Sequence, residues 1–408
     1  MRNLRNLSQI SRALLAYVLL LVILSLRFIL RGELTYVIPP VSLFLLSVFF
    51  IKYSRSKAYA GTTLLSIVLL ISIFKIFAEL FTGFIEGFGL SPYSRNPWAI
   101  FVNIYNLVAV AIAVEFIRAY MIVNLKTRFR ESLVIVIVAS LFLLVDLHPM
   151  RLAGLLSTGN IMLVLWQDVI PVLATNIFLT QLVSIGGSWY AILYRVVVTA
   201  YKYLIPLAPI IPFYLAVIPG AVVPFIGLAM LFSLTRPGSI KFKSMASALA
   251  PPFALLVLLI IMMKSGLYPL VVASDSMEPS LRKGDIAIVK QNSISDVEKG
   301  DIIAFATNGV VIIHRVTEVT HREDGIILST KGDANREADP WVITSSNYIG
   351  ELETAIPKIG YISLCMKQVI ASIIQVLNKS FMKIIVLAGV VALTFIILGY
   401  NKRTAKSW

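Results

Sequence analysis

Long apolar runs separated by basic residues constrain this chain more than any other feature. A membrane-spanning helix needs about 20 consecutive apolar residues. We assign about ten such runs, at 13–30, 34–51, 58–78, 98–123, 132–147, 161–183, 188–208, 210–234, 246–263 and 381–399. Of the 408 residues, 58% are hydrophobic and only 14% are charged. A soluble protein of this length needs far more polar surface, so the sequence predicts a polytopic α-helical membrane protein.

The distribution of basic residues predicts the topology. Lys and Arg cluster on alternate connections, while the connections between them carry little positive charge. The clusters are Arg2, Arg5 and Arg12, then Lys52, Arg55 and Lys57, then Lys126, Arg128 and Arg130, then Arg236, Lys241 and Lys243, and finally Lys402, Arg403 and Lys406. Cytoplasmic loops collect such residues. The pattern therefore predicts a cell-membrane protein with both termini in the cytoplasm, an even number of spans, and residues 264–380 outside.

The outer segment has the opposite charge balance from the rest of the chain. Residues 264–360 hold 10 Lys and Arg against 14 Asp and Glu, although the whole chain has a net charge of +15. Nucleic-acid-binding domains carry a basic patch or stripe. An acidic outer segment argues against a nucleic-acid partner, and the lipid bilayer is the partner that the apolar runs imply.

Two details of the apolar runs carry further expectations. Six prolines between 161 and 234 predict kinked or broken helices there. The charged residues inside the runs are expected mostly near helix ends, where long side chains extend to the membrane surface. These residues are Arg27, Lys75, Glu79, Glu115, Asp146 and Asp168.

Residues 267–360 change in character. Short β-branched runs bounded by Gly, Asp and Asn replace the long apolar ones: "GDIAIVK", "DIIAFAT", "GVVIIHRVTEV", "GIILSTKG" and "YIGELETAIP". This pattern predicts a small antiparallel sheet domain. The chain thus divides into a multi-pass membrane domain of about eight spans (1–245), an anchor helix (246–266), an extracytoplasmic β domain (267–360), and a connection with a last span and a basic cytoplasmic tail (361–408).

The β domain contains residues of the types that nucleophilic catalysis requires. Ser274 and Ser276 follow the anchor helix closely, and strand alternation would place both hydroxyls on one face. His314 lies in an alternating strand and is the type of side chain that accepts a serine proton at neutral pH. Asp333 or Asp339 could orient its imidazole. Cys365 is the only cysteine, and the three histidines show no metal-ligand spacing, so we expect no metal and no cofactor.

The order and spacing of four motifs add a family resemblance. "SDSMEPSLRKGD", "GDIIAF", "HRV" and "TKGDANREADP" together resemble the type I signal peptidases, specifically the archaeal and endoplasmic-reticulum branch. The resemblance covers roughly residues 264–360, a quarter of the chain. It implies a mostly β catalytic domain anchored by a helix before the serine, and a serine endopeptidase that removes signal peptides outside the cytoplasm.

The resemblance also assigns roles. It implies that Ser276 is the nucleophile, that Ser274 helps to bind the oxyanion, and that His314 is the general base where the bacterial branch has lysine. Asp339 matches the acidic partner, and Asp333 matches a second, supporting acid. Asp275 stands where many members have glycine.

The implied substrates are signal peptides of secretory preproteins, cleaved after small residues, and the protein translocation channel is a further candidate partner. The alternative is a multi-pass transporter or assembly scaffold whose outer domain is an inactive peptidase. The number of spans favours that alternative, because the chemistry needs one anchor at most. The complete set of serine, histidine and acid groups argues against it, because an inactive site has no physical reason to retain them all, and the peptidase is therefore the preferred interpretation.

Overall fold

The computed structural model describes residues 2–30, 34–53, 61–147, 164–234, 265–307, 310–322 and 325–361, together with residues 364, 365 and 368. The predicted anchor helix (246–266) lies outside the described residues except for its last two positions. The predicted last span (381–399) and the basic tail lie entirely outside them.

The N-terminal part is a bundle of helices. The helices are α1 (Arg2–Ile29), α2 (Leu34–Val48), α3 (Thr62–Glu86), α4 (Pro97–Leu125), α5 (Glu131–Asp146), α6 (Ile170–Gly186), α7 (Ser188–Leu204), α8 (Phe213–Val217) and α9 (Val223–Leu234). Asn96 begins α4 by accepting a hydrogen bond from the Trp98 amide, and Pro97 occupies the first turn, where no intrahelical donor is needed.

Five helical segments among the described residues are long and apolar enough to cross a membrane. They are Gln9–Leu26, Thr62–Glu86, Pro97–Leu125, Gln167–Gly186 and Leu215–Leu234. Leu34–Val48 is apolar but shorter. The helix expected at 58–78 is found at Thr62–Glu86. It ends later than expected because apolar residues continue beyond Lys75 and Glu79, whose charges are paired inside the bundle.

The prolines break the helices as predicted. A π-helical turn, Leu165–Val169, precedes Pro171 at the start of α6. A second π-helical turn, Ile218–Val222, contains Pro219 and joins α8 to α9. After α7 the chain leaves the helix and forms β2 (Leu207–Pro209), which pairs with β1 (Phe88–Leu90) in a short antiparallel ribbon. Proline cannot donate the helical hydrogen bond, and its ring clashes with the preceding turn.

The expectation that charged residues lie near helix ends and extend to the surface is wrong for the centre of the bundle. Glu115 and Arg118 of α4 are both fully buried, and they pair with each other at 2.9 Å. Arg195 of α7 binds Asp146 of α5 with two hydrogen bonds of 2.9 Å and also contacts Glu115. Asn176 of α6 accepts from Arg118 at 2.7 Å. A buried charge is tolerable when it is paired and hydrogen-bonded, and here four helices supply the partners.

The C-terminal part is a six-stranded antiparallel sheet, as predicted. The strands are β3 (Leu267–Val271), β4 (Ile286–Lys290), β5 (Ile302–Thr307), β6 (Val310–Arg322), β7 (Gly325–Lys331) and β8 (Tyr348–Ile356). Their order in the sheet is β3-β4-β8-β5-β6-β7. Register shifts interrupt the β4–β8, β5–β8 and β6–β7 pairs, and such bulges increase twist and bending.

One apolar cluster joins the bundle to the sheet. Leu80 of α3, Phe88 of β1 and Tyr201 of α7 are buried against residues of the sheet that include Leu270 and Ala304. Residues of β3, β5 and β6 therefore face the end of the helical bundle, and the opposite face of the sheet covers a separate core around Phe305 and Leu328.

Candidate active site

Strand β6 places His314 inside the sheet domain. Its register with β5 sets His314 opposite Ile303, and the whole residue is only 6% exposed. Its ring lies against the Phe305 ring, with centroids 6.4 Å apart. Apolar neighbours on both strands thus fix the imidazole and keep most water away from it.

Ser276 lies in the turn that follows β3. Its Oγ is 3.1 Å from His314 Nε2, a distance suited to hydrogen bonding. β3 and β6 are separated by three other strands in the sheet order, so the sheet must curl strongly to bring the two residues together. Met277, directly after the serine, is 1% exposed, and its buried side chain anchors the turn.

Ser274 meets Ser276 in a different way from the one expected. Strand β3 ends at Val271, and residues 274–276 form bends and a turn, so strand alternation does not explain their relation. The Glu278 amide donates to the Asp275 carbonyl at 3.1 Å and closes the turn. This curvature brings the two hydroxyls to 3.1 Å from each other, with the Asp275 side chain exposed.

Asp339 completes a chain of hydrogen-bonding groups. Its Oδ2 is 2.6 Å from His314 Nδ1 and accepts from Thr330 Oγ1 at 2.7 Å. The side chains of His314 and Asp339 are 7% and 5% exposed. The Asp339 amide donates to the Thr330 carbonyl at 2.8 Å, and Leu328 pairs with Ile343 in the same loop. The loop after β7 is therefore held along that strand, which fixes the carboxylate against the imidazole.

Asp333 lies in the same loop but faces another partner. Its carboxylate accepts from Arg315 Nε at 2.8 Å, from Arg315 Nη2 at 2.7 Å and from Ser280 Oγ at 2.6 Å. The hydrogen bonds from Arg315 hold the pKa of Asp333 below its ordinary value. Of the two acids, the structure thus places Asp339 on the imidazole and Asp333 on the neighbouring arginine.

The two loops that carry these groups touch each other. The Ala334 amide donates to the Ser276 carbonyl at 2.9 Å. A Cβ on Gly332 would lie only 2.7 Å from the same carbonyl oxygen, so this close approach requires glycine. The contact couples the position of the serine to the loop that supplies both acids.

Two residues of this site were not singled out from the sequence: Thr330 and Ser280. Thr330 is fully buried on the same side of β7 as Leu328, and a polar residue at an inward position of a strand is a usable signal. The role of Ser280 depends on a turn and carries no comparable pattern. Within the described residues, no cluster of three or more His, Cys, Asp or Glu could hold a metal ion.

Comparison with known proteins supports the family resemblance. Residues 254–352 match the family described as Peptidase S24-like. The signal peptidase complex catalytic subunit SEC11 of Scheffersomyces stipitis is 29% identical over 138 residues, which cover 31% of this chain and 82% of that protein. SEC11 of Clavispora lusitaniae is 31% identical over 108 residues, covering 24% and 64%. The chain carries a type I signal peptidase-like domain of the endoplasmic-reticulum type.

A bacterial signal peptidase also matches this chain, over a shorter stretch. Signal peptidase I W of Bacillus subtilis is 33% identical over 78 residues, covering 19% of this chain and 41% of that protein. Each match covers less than a third of the chain. The signal peptidase-like domain is therefore the part that these relatives share, and the whole protein's activity is a separate question.

Proposed function

We propose that this protein is a membrane-bound serine endopeptidase that removes N-terminal signal peptides from exported proteins after small residues. The observation that carries the proposal is the continuous contact Ser276 Oγ–His314 Nε2–Asp339 Oδ2, at 3.1 and 2.6 Å. A nucleophile, a base and an acid that orients the base define a catalytic triad by geometry rather than by sequence position.

The reaction follows from these positions. His314 accepts the Ser276 proton at Nε2 while the hydroxyl oxygen attacks the scissile carbonyl. Asp339 holds the Nδ1 proton and stabilises the imidazolium that forms. Ser274 Oγ and a backbone amide stabilise the oxyanion, a contribution of about 3 kcal/mol for each donor. His314 then donates its proton to the leaving amine. In the second half of the reaction a water molecule takes the place of the amine: His314 accepts its proton while it attacks the acyl-enzyme, and then returns the proton to Ser276.

Asp333 acts through the scaffold in this scheme. Its bonds to Arg315 and Ser280 join β6 to the turn that contains Ser276. The Arg315 guanidinium also donates to the Gly300 carbonyl at 2.7 Å. This set of bonds fixes the distance between serine and histidine, so Asp333 is a positioning residue.

The substrate is expected to bind as an extended strand. β3 is at the edge of the sheet, and an edge strand can pair with an added peptide through its free backbone groups. β3 also leads directly to the Ser276 turn. A peptide paired beside "LVVAS" would carry its carbonyl to the nucleophile, with alternate side chains directed into the gap between β3 and β6.

The membrane arrangement belongs to the same proposal. We place the β domain outside the cytoplasm and both termini inside, with residues 1–245 as the multi-pass domain, 246–266 as the anchor and 361–408 as the C-terminal span and tail. The basic clusters described above support this orientation. Substrates that arrive through the translocation channel would then meet the site at the outer membrane surface.

Covalent labelling tests the proposal. A serine-reactive phosphonate should label the purified full-length protein at Ser276, and the protein should cleave a preprotein. Ser276→Ala should abolish labelling and cleavage, while Ser295→Ala, which alters an exposed loop serine, should leave both unchanged. A folded wild-type protein that neither labels nor cleaves would favour the scaffold alternative.

A further inference from the structure

A cavity of about 110 Å³ lies between the helical bundle and the signal peptidase-like domain. Leu270, Val271 and Ala273 form one side, just before the Ser276 turn, and Val311 and Ile313 form the second side, just before His314. These two sides belong to the sheet domain. The cavity therefore occupies the gap in which we expect the substrate's side chains.

The third side comes from the junction between α3 and β1. We call residues 84–88 the junction wall; Phe84 and Phe88 supply its rings, and Gly87 makes the turn. The wall lies outside residues 254–352, which match the peptidase family. Its contribution is therefore not explained by the family resemblance, and a peptidase anchored by one helix would lack this surface.

Packing fixes the junction wall in place. Phe88 is 5% exposed, and its ring meets the Phe84 ring edge-on with centroids 5.3 Å apart. A Cβ on Gly83 would lie 2.4 Å from the Phe88 ring, so the ring lies directly on the α3 backbone. Gly87 has φ of +100°, a conformation that L-residues rarely adopt. The Gly87 amide bonds to the Gly83 carbonyl at 2.8 Å.

The short ribbon adds a second support. Phe88 pairs with Pro209 across β1 and β2, and the Ile210 amide donates to the Gly87 carbonyl at 3.0 Å. The wall is thus held from α3 on one side and from the segment after α7 on the other. A wall fixed in this way can exclude large side chains, because rearranging it would break these contacts.

We infer that the junction wall is a specificity-determining part of the substrate cleft, through which the helical domain limits the size of the residues accepted before the cleaved bond. This inference rests on the proposed function. The cavity is smaller than the roughly 150 Å³ site that holds benzene in an engineered core. In so small a space, side chains before the cleaved bond meet increasing resistance from the rings of Phe84 and Phe88 as they grow from Ala toward Leu and Phe.

The test compares cleavage of preproteins that carry Ala, Val, Leu or Phe at the first or the third residue before the cleaved bond. The full-length protein is used in lipid. Phe88→Ala is expected to raise kcat/KM for Leu relative to Ala about tenfold or more at one of these positions, the size of effect that added methylenes have in an apolar pocket. Phe84→Ala, which alters a less buried ring, is expected to shift the same ratio if Phe88→Ala does not fold.

Two further variants sharpen the comparison. Gly83→Ala replaces none of the residues that line the cavity, but it must displace the Phe88 ring, which does line it. It is therefore expected to change the preference at the same substrate position and at no other. Phe81→Ala is the matched control, because Phe81 lies on the same helix and stacks on Phe77 instead, with centroids 5.7 Å apart. It is expected to leave the preference unchanged. An equal loss for all substrates in Phe88→Ala and Phe84→Ala would overturn the inference.

Photo-crosslinking separates this inference from the proposed function. p-Benzoylphenylalanine at position 84, in the Ser276→Ala background, is expected to crosslink to the substrate within three residues of the bond that wild type cleaves. If the wild type cleaves the substrate but the crosslinks lie only elsewhere on it, the role of the junction wall would be overturned while the proposed peptidase function would stand. If the wild-type protein did not cleave the substrate and the variant did not crosslink to it, both the proposed function and the role of the junction wall would be overturned.

Discussion

Removing each of the two acids of the site should lower the rate of cleavage to very different extents. Asp339 Oδ2 is 2.6 Å from His314 Nδ1, and both side chains are almost fully buried. During acylation the imidazole becomes an imidazolium beside this carboxylate. At about 4 Å between charge centres and an effective dielectric constant of about 20, their attraction is about 4 kcal/mol. Each 1.4 kcal/mol or so changes a rate tenfold, so Asp339→Asn should lower kcat about 10³-fold.

Asp333→Ala should affect stability more than chemistry. Its carboxylate bonds to Arg315 and Ser280, and neither of these side chains touches the Ser276 hydroxyl in the contacts above. Removing it leaves Arg315 with unsatisfied donors, a cost of about 1–3 kcal/mol in unfolding free energy. The lower part of that range is the better expectation, because the Arg315 side chain is 36% exposed and solvent replaces some of the lost bonds. We expect kcat to fall less than about tenfold.

The assay is single-turnover cleavage of a preprotein by purified variants, combined with thermal unfolding of each variant. Single turnover reports acylation without product release. Thr317→Ala provides a matched control, since Thr317 lies on the same strand as His314 but bonds to the Ser329 carbonyl. If Asp333→Ala lost more activity than Asp339→Asn while both variants remained folded, the division of roles between the two acids would be reversed.

Three further predictions follow from the same structure. His314→Lys should not restore the activity lost in His314→Ala, because a lysine with an ordinary pKa of about 10.4 stays protonated beside the Asp339 carboxylate; near-wild-type cleavage by the lysine variant at neutral pH would refute this. Asp333→Asn should lower the melting temperature at pH 7 but not in strong acid. The pKa of Asp333 is lowered in the folded state. The stability that its ion pair adds is therefore present above the ordinary aspartate pKa of about 3.9 and is lost as the pH falls through the lowered pKa of the folded protein. A difference in melting temperature that persisted in strong acid would contradict the ion pair. Lys299→Cys, at an exposed position and in a Cys365→Ser background, should react with an impermeant thiol reagent in intact cells, whereas reaction only after permeabilisation would invert the proposed topology.

The features that the sequence determined by itself depend on local patterns. Apolar length predicts membrane helices because the bilayer has a fixed thickness, and alternation predicts strands because side chains leave a sheet on opposite faces. β4 to β8 all lie where their β-branched runs predicted them. The candidate residues of the site could be named from serine, histidine and acid motifs within one short segment, and their expected roles came from the family resemblance that those motifs carry.

The family resemblance implied different roles for the two acids, but the contacts that separate them required the tertiary structure. Asp333 and Asp339 are six residues apart in one loop, and their spacing from His314 does not distinguish them. What separates them is the path of the loop beside β7, through the Asp339–Thr330 backbone bond, together with the fork of Arg315 that holds Asp333. The Ser274–Ser276 contact likewise depends on a turn rather than on strand alternation.

The charged residues of the bundle show the same limit. Glu115 and Arg118 are one helical turn apart and pair within α4, but Asp146 and Arg195 are 49 residues apart in the sequence. The four residues become one connected set only when α4, α5 and α7 pack together. The junction wall is a second case, because Phe88 and Ile313 are far apart in sequence and line one cavity. Local patterns decide which helices and strands form. Contacts between residues that are distant in sequence depend on how those elements pack, and packing is determined by complementary shape and charge across the whole fold.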